Sequence, residues 1–479
     1  MNTAAKALQY QGLMRRALSL GALKAFDHAL QFLLPIILVR CLDAATFGEY
    51  RLLWLCVWTV VSLVSLNMGG GLYYFVPRSD AWHKRLYVHQ SLVYFVLAGL
   101  VCAWLLSAWN PLHPAPVRKL EHYGLLVPAF VALWMFSILM DYLPTVDERI
   151  RWQAFASVTS SVLRAVLIGA GAWLTGDLHV VIVLLIAAVL VKLVLLLFYV
   201  QRHHGFGGPW FRRAAFAEQF RRCAPLGASS ALFSLRTQTD QWVAATLFAL
   251  SSFAAFTIAT IVSQVVQLFR QSVMEAFMPS MSRMEAAGDL RGMMQLNSRA
   301  NVMVGTALYP LLAFAFGFAE DIVTLVYTAA YVEAAPVMRV YVVGMAAMVI
   351  EISSLMLLLR QGAFALRFGI VLLSVSVAVS WLGAQELGLA GAAAGSVLAV
   401  YVDRVLMLRR VSRISGIGFT QLQDWGGLGR AIAFAAFAAG LAWLAVHFFL
   451  PEANPFPRLV LGTVVLAVVY GPLALWGRR

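Results

Sequence analysis

The chain is a succession of long apolar segments joined by short polar connections, and this pattern limits it to a membrane-spanning helical fold. Apolar residues make up 61% of the 479 residues and charged residues only 12%, whereas soluble domains carry about 25% charged residues. A helix needs about 20 mostly apolar residues to cross a bilayer. We therefore predict an all-α polytopic membrane protein with about 14 transmembrane helices. The predicted spans are 17–40, 47–75, 87–109, 120–141, 151–174, 178–200, 224–249, 253–279, 300–319, 335–359, 364–384, 387–408, 429–450 and 457–476.

The basic residues are distributed unevenly between the connections. Those on the side of the N-terminus carry most of the arginines, and those on the other side are short and richer in acids. Because basic loops stay in the cytoplasm, we predict that both termini are cytoplasmic and that the helix number is even. These loops also explain the net charge of +14, so we expect no nucleic-acid partner. The four cysteines have no metal-binding or redox spacing, and we expect no metal or other cofactor.

The two halves of the chain resemble each other. Residues 47–50 (FGEY) and 253–256 (FAAF) are 206 positions apart, and in each half a long span follows that ends in proline and then arginine. We predict two pseudo-symmetric six-helix lobes in parallel orientation plus a C-terminal helix pair, a plan that transporters use. The predicted domains are an N-terminal cytoplasmic segment (1–16), an N-lobe (17–200), a cytoplasmic linker (201–223), a C-lobe (224–408), a cytoplasmic loop (409–428) and helices 13 and 14 (429–476).

Nine charged residues lie well inside predicted spans. Each costs about 2.5–3.5 kcal/mol at the centre of a spanning helix, so they should face the bundle interior, water or one another. They are Lys24, Asp27, Arg164, Lys192, Arg236, Asp240, Arg270, Glu275 and Glu351.

The polar run 236–241 (RTQTDQ) is the most unusual part of any span. Arg236 and Asp240 are four residues apart and could pair on one helix, but such a pair needs no further polar neighbours. We therefore favour a cavity-lining or locally unwound segment. On the next span, glutamines recur at helical spacing around Arg270, and the predicted cavity-lining residues are Gln241, Gln264, Gln267 and Gln271.

The other intramembrane charges allow two interpretations. Lys24 and Asp27 share one face of the first helix and form either an internal ion pair or a cargo or proton site. Arg164 and Lys192 either pair with an unassigned acid or contact cargo, and Glu351 is a weaker candidate for proton coupling. Arginines in one cavity repel each other and would favour an anion, and a guanidinium fits a phosphate with two hydrogen bonds.

No enzyme motif is visible. The glycine pair at 169 and 171 lies inside a span, and the sequence contains no Walker loop, HExxH or GxSxG. We therefore predict that the chain is not an enzyme.

Several loose motifs, in a fixed order, resemble one family. They are residues 35–42 (PIILVRCL), 47–50 (FGEY), Asp240, 278–281 (MPSM), 320–323 (EDIV), 331–335 (YVEAA) and 388–393 (GLAGAA). Over about residues 15–415, this pattern resembles the polysaccharide exporters of the multidrug/oligosaccharidyl-lipid/polysaccharide superfamily, especially the O-antigen and exopolysaccharide repeat-unit flippases. The segment 253–256 departs from the glycine and tyrosine that the family more often has there.

The resemblance implies a flippase in the bacterial inner membrane. Its cargo would be an undecaprenyl-diphosphate-linked oligosaccharide that passes from the cytoplasmic to the periplasmic leaflet by alternating access through a cationic cavity. Its partners would be membrane lipids and the polymerase and chain-length proteins of the same pathway. On this interpretation the diphosphate head group meets Arg236, Arg270, Lys24, Arg164 and Lys192, and ion coupling or charge balance falls to Asp240, Asp27 and Glu351.

Three alternatives remain open from the sequence. A lipid II flippase of the same superfamily also has about 14 helices, and neighbouring genes would distinguish the two. A cation-coupled drug exporter would have an acidic cavity. A membrane glycosyltransferase, polymerase or ligase would carry a large periplasmic loop, which the predicted connections do not include.

Overall fold

The computed structural model describes residues 29–30, 32–111 and 114–476. It is 86% helical, and the described residues form no β-strand, which confirms the all-α polytopic fold. The chain divides into two compact units, Met1–Ser234 and Leu235–Arg479, with the division inside one helix, Arg213–Leu247. The predicted lobe and linker boundaries remain predictions.

The first unit consists of antiparallel helices and short breaks. Within it, α8 packs along α9, and α6 packs on both α4 and α9. Its helices are α1 (Phe32–Cys41), α2 (Ala44–Val64), α3 (Met68–Phe75), α4 (Ala81–Leu105), α5 (Ala115–Arg118), α6 (Leu126–Ser137), α7 (Leu143–Val146), α8 (Ile150–Thr175), α9 (Leu178–His203) and the first part of α10 (Arg213–Leu247).

The second unit begins with the rest of α10. In this unit α13 packs on α18, α18 on α19, and α15 on α17. Its further helices are α11 (Leu250–Ala259), α12 (Ile261–Ala286), α13 (Leu290–Gly317), α14 (Ala319–Val326), α15 (Ala334–Met348), α16 (Ser353–Leu358), α17 (Gly362–Ser415), α18 (Trp425–Phe449) and α19 (Pro455–Trp476).

Ten helices of the described chain are long and apolar enough to cross a membrane. One of them, α17, covers two predicted spans. Helices α10 and α15 lie in two further predicted spans, and α1 forms the end of the span predicted at 17–40, most of which lies outside the described residues. Helix α15 is too short to cross alone, and α10 is long but only weakly apolar. The low apolar content of α10 is due to the polar run 236–241, which lies inside this helix.

Helix α17 is a hairpin of two helices. Gly388 has φ +64° and ψ −145°, which interrupts the helix and which glycine adopts at low cost. A Cβ at Gly391 would lie 1.8 Å from the Gly383 carbonyl oxygen, although eight residues of straight helix span about 12 Å. The chain therefore reverses direction at Gly388. This confirms the two predicted spans, and the glycines at the contact allow the two helices to pack closely.

Two predicted spans are interrupted over several residues. The span predicted at 47–75 breaks between α2 and α3, where Leu66 and Asn67 have positive φ angles. Gly227 of α10 lies against this break, since a Cβ there would be 2.2 Å from the Leu66 carbonyl carbon. The span predicted at 335–359 breaks between α15 and α16, at residues 349–352. Broken helices at membrane depth need side chains or water to satisfy the freed backbone groups.

Candidate functional site

A buried carboxyl group on α10 connects three helices of the second unit. Asp240 on α10 is 2% exposed. Its Oδ2 accepts hydrogen bonds from the Tyr341 hydroxyl of α15 at 2.6 Å and from the Ser396 hydroxyl of α17 at 2.5 Å, and its Oδ1 accepts from the Gln241 backbone N–H at 2.8 Å. All three donors are neutral. In the described part of the chain, no ion pair includes Asp240.

The Ser396 hydroxyl connects this carboxyl group to a second acceptor. Its Oγ lies 2.5 Å from Asp240 Oδ2 and 3.1 Å from the Ala393 carbonyl oxygen, but a hydroxyl has only one hydrogen to donate. When Asp240 is ionised, Ser396 donates to the carboxylate. When Asp240 is protonated, it can donate to Ser396, which then donates to Ala393. The geometry is therefore compatible with both protonation states.

One helical turn before Asp240, an arginine belongs to a different network. Arg236 donates from Nη1 to Asp403 Oδ1 on α17 at 3.0 Å, and Arg404 Nη1 lies 3.8 Å from the other oxygen of Asp403. The side chains of Arg236 and Asp403 are 22% and 11% exposed. Asp403 thus bridges two arginines in a largely buried position, where such pairing offsets the cost of desolvation.

A third arginine of the second unit is paired at the break between α15 and α16. Arg270 of α12 forms an ion pair with Glu351, and both side chains are largely buried. The Asn301 side-chain oxygen accepts from the Glu351 backbone N–H at 3.0 Å, and Asn297 donates to the Glu351 carbonyl oxygen at 3.1 Å. The asparagines of α13 therefore satisfy the backbone groups that the helix break leaves open.

These residues form a charge group with a positive surplus. Arg404 lies close enough to Arg270 and Arg236 for their charges to repel. Three arginines thus share two acids, Asp403 and Glu351. We call these five residues the arginine cluster: Arg236, Arg270, Arg404, Asp403 and Glu351. An anion could bind to this cluster if one of the arginines released its present carboxylate partner and bound the anion instead.

The structure excludes two of the alternatives that the sequence left open for the polar run. Arg236 and Asp240 have different partners and do not pair with each other. Helix α10 is also continuous through this run rather than locally unwound, and each of the two charged side chains has a partner on another helix. Gln241 is half-buried, and the side chains of Gln264, Gln267 and Gln271 are exposed; that they line a cavity stays a prediction.

In the first unit the structure supplies the acid that the sequence left unassigned. Lys192 of α9 donates to Asp141 Oδ2 at 2.7 Å, and the two side chains are 11% and 50% exposed. Lys192 also lies 5.3 Å from the ring centre of Trp134. The Arg164 guanidinium lies 5.7 Å from the same ring and 5.9 Å from that of Trp54. The two cations thus share an aromatic neighbour.

A carboxylate just outside a span fastens the end of α9. Asp147 Oδ2 accepts from the Tyr199 hydroxyl at 2.7 Å and lies 2.8 Å from His204 Nε2. Burial acts to raise the pKa of Asp147, but the hydrogen bonds from His204 and Tyr199 and the nearby charges of His204 and Arg149 together outweigh it, so that the pKa lies below its ordinary value. Asp147 therefore contributes to stability as the ionised carboxylate.

Three of the predicted charged residues lie outside the part that the structure describes: Lys24, Asp27 and, for its side chain, Glu275.

Five residues of these networks were not predicted from the sequence: Asp141, Tyr341, Ser396, Asp403 and Arg404. Adjacent opposite charges within an apolar segment were the one available signal for Asp403 and Arg404. Hydroxyl donors such as Tyr341 and Ser396 leave no comparable signal.

Comparison with known families gives a match to more than half of the chain, including its N-terminal part. The family model described as "Polysaccharide biosynthesis protein" matches residues 13–285, which is more than half of the chain. The comparison with curated proteins found no match.

Solved structures share the fold over most of the length of this chain. A lipid II flippase, MurJ, in an inward closed conformation has a TM-score of 0.70 at 12% identity and covers 94% of this chain and 98% of its own. An inward-facing multidrug resistance transporter of the MATE family has a TM-score of 0.63 at 15% identity, with 81% and 96% covered. A transporter of the MOP superfamily from Pyrococcus furiosus has a TM-score of 0.54 at 13% identity and covers 83% of this chain and 96% of its own. At these identities the likeness concerns the fold alone.

Proposed function

Because this chain belongs to the polysaccharide biosynthesis protein family, within a superfamily of flippase-type transporters, we propose that it moves an undecaprenyl-diphosphate-linked oligosaccharide across the membrane. The cargo would be a repeat unit of O-antigen, capsule or exopolysaccharide, carried from the cytoplasmic to the periplasmic leaflet by alternating access. The lipid tail stays in the bilayer, and the charged head group needs a polar path through it.

The observation that carries this proposal is the arginine cluster. Three arginines with two acids leave one positive charge in excess among largely buried side chains of the second unit. Such charges are costly within a membrane and mark the path of a substrate or ion. A diphosphate can replace Asp403 or Glu351 as the partner of Arg236 or Arg270 and form two parallel hydrogen bonds with a guanidinium.

We assign the other charged residues to supporting roles. Asp240 couples transport to an ion gradient through its two hydrogen-bonding states, and Glu351 balances the charge of Arg270 when no cargo is bound. Lys192 and Arg164 meet the cargo in the first unit. Gln241, Gln264, Gln267 and Gln271 line the path, and Lys24 and Asp27 remain predicted contributors outside the described residues.

The proposal also concerns location and partners. The chain is a multi-pass membrane protein, and we propose that it lies in the bacterial inner membrane with both termini in the cytoplasm, since its basic connections alternate with acidic ones. The polymerase and chain-length proteins of the same pathway would receive its product. No step requires catalysis by this chain or a cofactor.

The identity of the cargo can be tested in cells that lack the gene. We expect a lipid-linked oligosaccharide with the sugar composition of a surface polymer to accumulate in the cytoplasmic leaflet, and the wild-type gene to clear it. Accumulation of lipid II instead would contradict this cargo and indicate cell-wall synthesis. A control strain should express a variant with Gly440→Ala, since a Cβ at Gly440 would meet no other atom.

A further inference from the structure

Three tryptophans form an aromatic cluster in the first unit that the proposed function has not used. Trp54 and Trp58 are one turn apart on α2, with ring centres 5.9 Å apart and nearly parallel. Trp134 of α6 meets both rings edge-on, at 5.3 Å from Trp54 and 6.1 Å from Trp58. We call these residues the tryptophan cluster. Trp134 is nearly buried, but the side chain of Trp58 is 47% exposed.

Charged groups stand at the edge of the tryptophan cluster. The Lys192 ammonium lies 5.3 Å from the Trp134 ring centre and 2.7 Å from Asp141, and the Arg164 guanidinium lies 5.7 Å from the same ring. The cluster therefore combines flat apolar surfaces with hydrogen-bond donors and a carboxylate acceptor. All of these residues belong to the first unit.

The space beside these groups is accessible to water. Lys192 lies near the middle of α9, so that its partner Asp141 must also lie within the membrane, yet the Asp141 side chain is 50% exposed. A charged side chain at this depth does not face lipid. The backbone at Asp141 is also irregular, since α6 gives way to the 3-10 turn Ile138–Asp141 before α7. Irregular backbone at membrane depth occurs where it is buried in protein or lines a water-filled cavity.

A pyranose ring has the chemistry that fits this place. Its faces carry C–H groups that pack on an aromatic ring, and its rim carries hydroxyl groups that need donors and acceptors. Asp141 can accept from ring hydroxyls, and Lys192 and Arg164 can donate to them. A phosphate group alone has no apolar face that could pack on the three tryptophan rings.

We propose that the tryptophan cluster, with Asp141 and Lys192 at its edge, is a subsite that stacks one sugar ring of the cargo. This inference rests on the proposed function and adds the residues that recognise the oligosaccharide rather than its diphosphate. Trp58 forms the accessible stacking surface, because its side chain is far more exposed than that of Trp134.

The test measures binding of two probes to the purified full-length protein. One probe is the lipid-linked oligosaccharide extracted from cells that lack this gene, and the other is undecaprenyl diphosphate without sugar. We expect Trp58→Ala and Trp58→Leu to weaken binding of the first probe about tenfold, which corresponds to about 1.4 kcal/mol, and to leave binding of the second unchanged. Trp58→Phe, which keeps an aromatic face, should retain most of the affinity.

The controls separate this inference from the proposed function. Trp173→Ala changes a tryptophan that is 76% exposed and outside the cluster, and it should bind both probes as the wild type does. If Trp58→Ala and Trp58→Leu bind the oligosaccharide as tightly as the wild type, the sugar subsite is wrong and the flippase proposal stands. Equal weakening for both probes also contradicts the subsite. If the wild type binds neither probe, the proposed function itself fails.

Discussion

Arg236 donates a hydrogen bond to Asp403 at 3.0 Å, although the two residues are 167 positions apart in the chain. The contact joins α10 to the second half of the α17 hairpin, and Arg404 approaches the other oxygen of the same carboxylate. Asp403 therefore holds two arginines in place at membrane depth. An incoming anion would have to compete with this carboxylate for Arg236.

The first prediction concerns the stability of this pair. Arg236→Gln leaves Asp403 with only the more distant Arg404, and loss of one partner of a buried ion pair costs about 3–5 kcal/mol. Replacing both residues (Arg236→Gln with Asp403→Asn) removes the poorly paired carboxylate but also takes from Arg404 its acid, so it should restore only part of the lost stability. Thermal unfolding of the three proteins in detergent measures this. Equal melting temperatures for the single and double variants would contradict the pairing.

The second prediction separates folding from transport at Asp240. Asp240→Asn keeps the shape and can hydrogen-bond Ser396, but it cannot gain and lose a proton. We expect normal amounts of folded protein, transport reduced at least about tenfold (about 1.4 kcal/mol), and loss of the dependence on a pH gradient. Ser396→Ala, which removes the hydroxyl between Asp240 and Ala393, should show a smaller defect of the same kind. Transport by Asp240→Asn that still responds to the gradient would exclude this role.

The third prediction concerns the helical hairpin. A Cβ at Gly391 would lie 1.8 Å from the Gly383 carbonyl oxygen, whereas one at Gly440 would meet nothing. Gly391→Ala should therefore force the two halves of α17 apart and destabilise the protein by at least about 1–3 kcal/mol, as overpacking does. Gly440→Ala should be neutral or stabilising by about 0.4–1 kcal/mol. Melting temperatures of the two variants test this, and a Gly391→Ala protein as stable as the wild type would show that the close contact is wrong.

The fourth prediction is a pH dependence. Because the pKa of Asp147 is lowered in the folded protein, its stabilising effect is fully present above the unfolded-state pKa of about 3.9 and is lost as the pH falls through the folded-state pKa. Asp147→Asn should therefore lower the melting temperature at pH 7, by an amount equivalent to about 1–3 kcal/mol, and the difference from the wild type should shrink below about pH 4. A difference that grows as the pH falls would have the wrong sign.

The sequence predicted the helical membrane fold and most of the spans, because about 20 consecutive apolar residues are typical of a transmembrane helix. Even the hairpin at Gly388 was visible in the pair of predicted spans around it. The helix break at 349–352 was not predicted, since its free backbone groups are satisfied by the asparagines of α13, which are about 50 residues away in the chain.

The charged residues were found in sequence, but their partners were not. A helical spacing of four made a pair between Arg236 and Asp240 one of the alternatives, but Arg236 pairs with Asp403, and Asp240 lies between Tyr341 and Ser396. Sequence spacing reports only neighbours on the same helix. Tertiary packing decides whether a charged side chain finds its partner on another helix. Contacts between helices cannot be predicted from spacing in a single sequence.

The most direct test of the central claim is transbilayer movement in reconstituted vesicles. Vesicles carrying the lipid-linked oligosaccharide in both leaflets would be treated with an impermeant reagent that oxidises sugars, so that only outward-facing head groups react. With the wild-type protein all of the lipid should become reactive with time. With the charge-matched variant Arg236→Gln/Asp403→Asn combined with Arg270→Gln/Glu351→Gln, about half should stay protected. Equal reactivity for both proteins, or a wild type that leaves half of the lipid protected, would contradict the account.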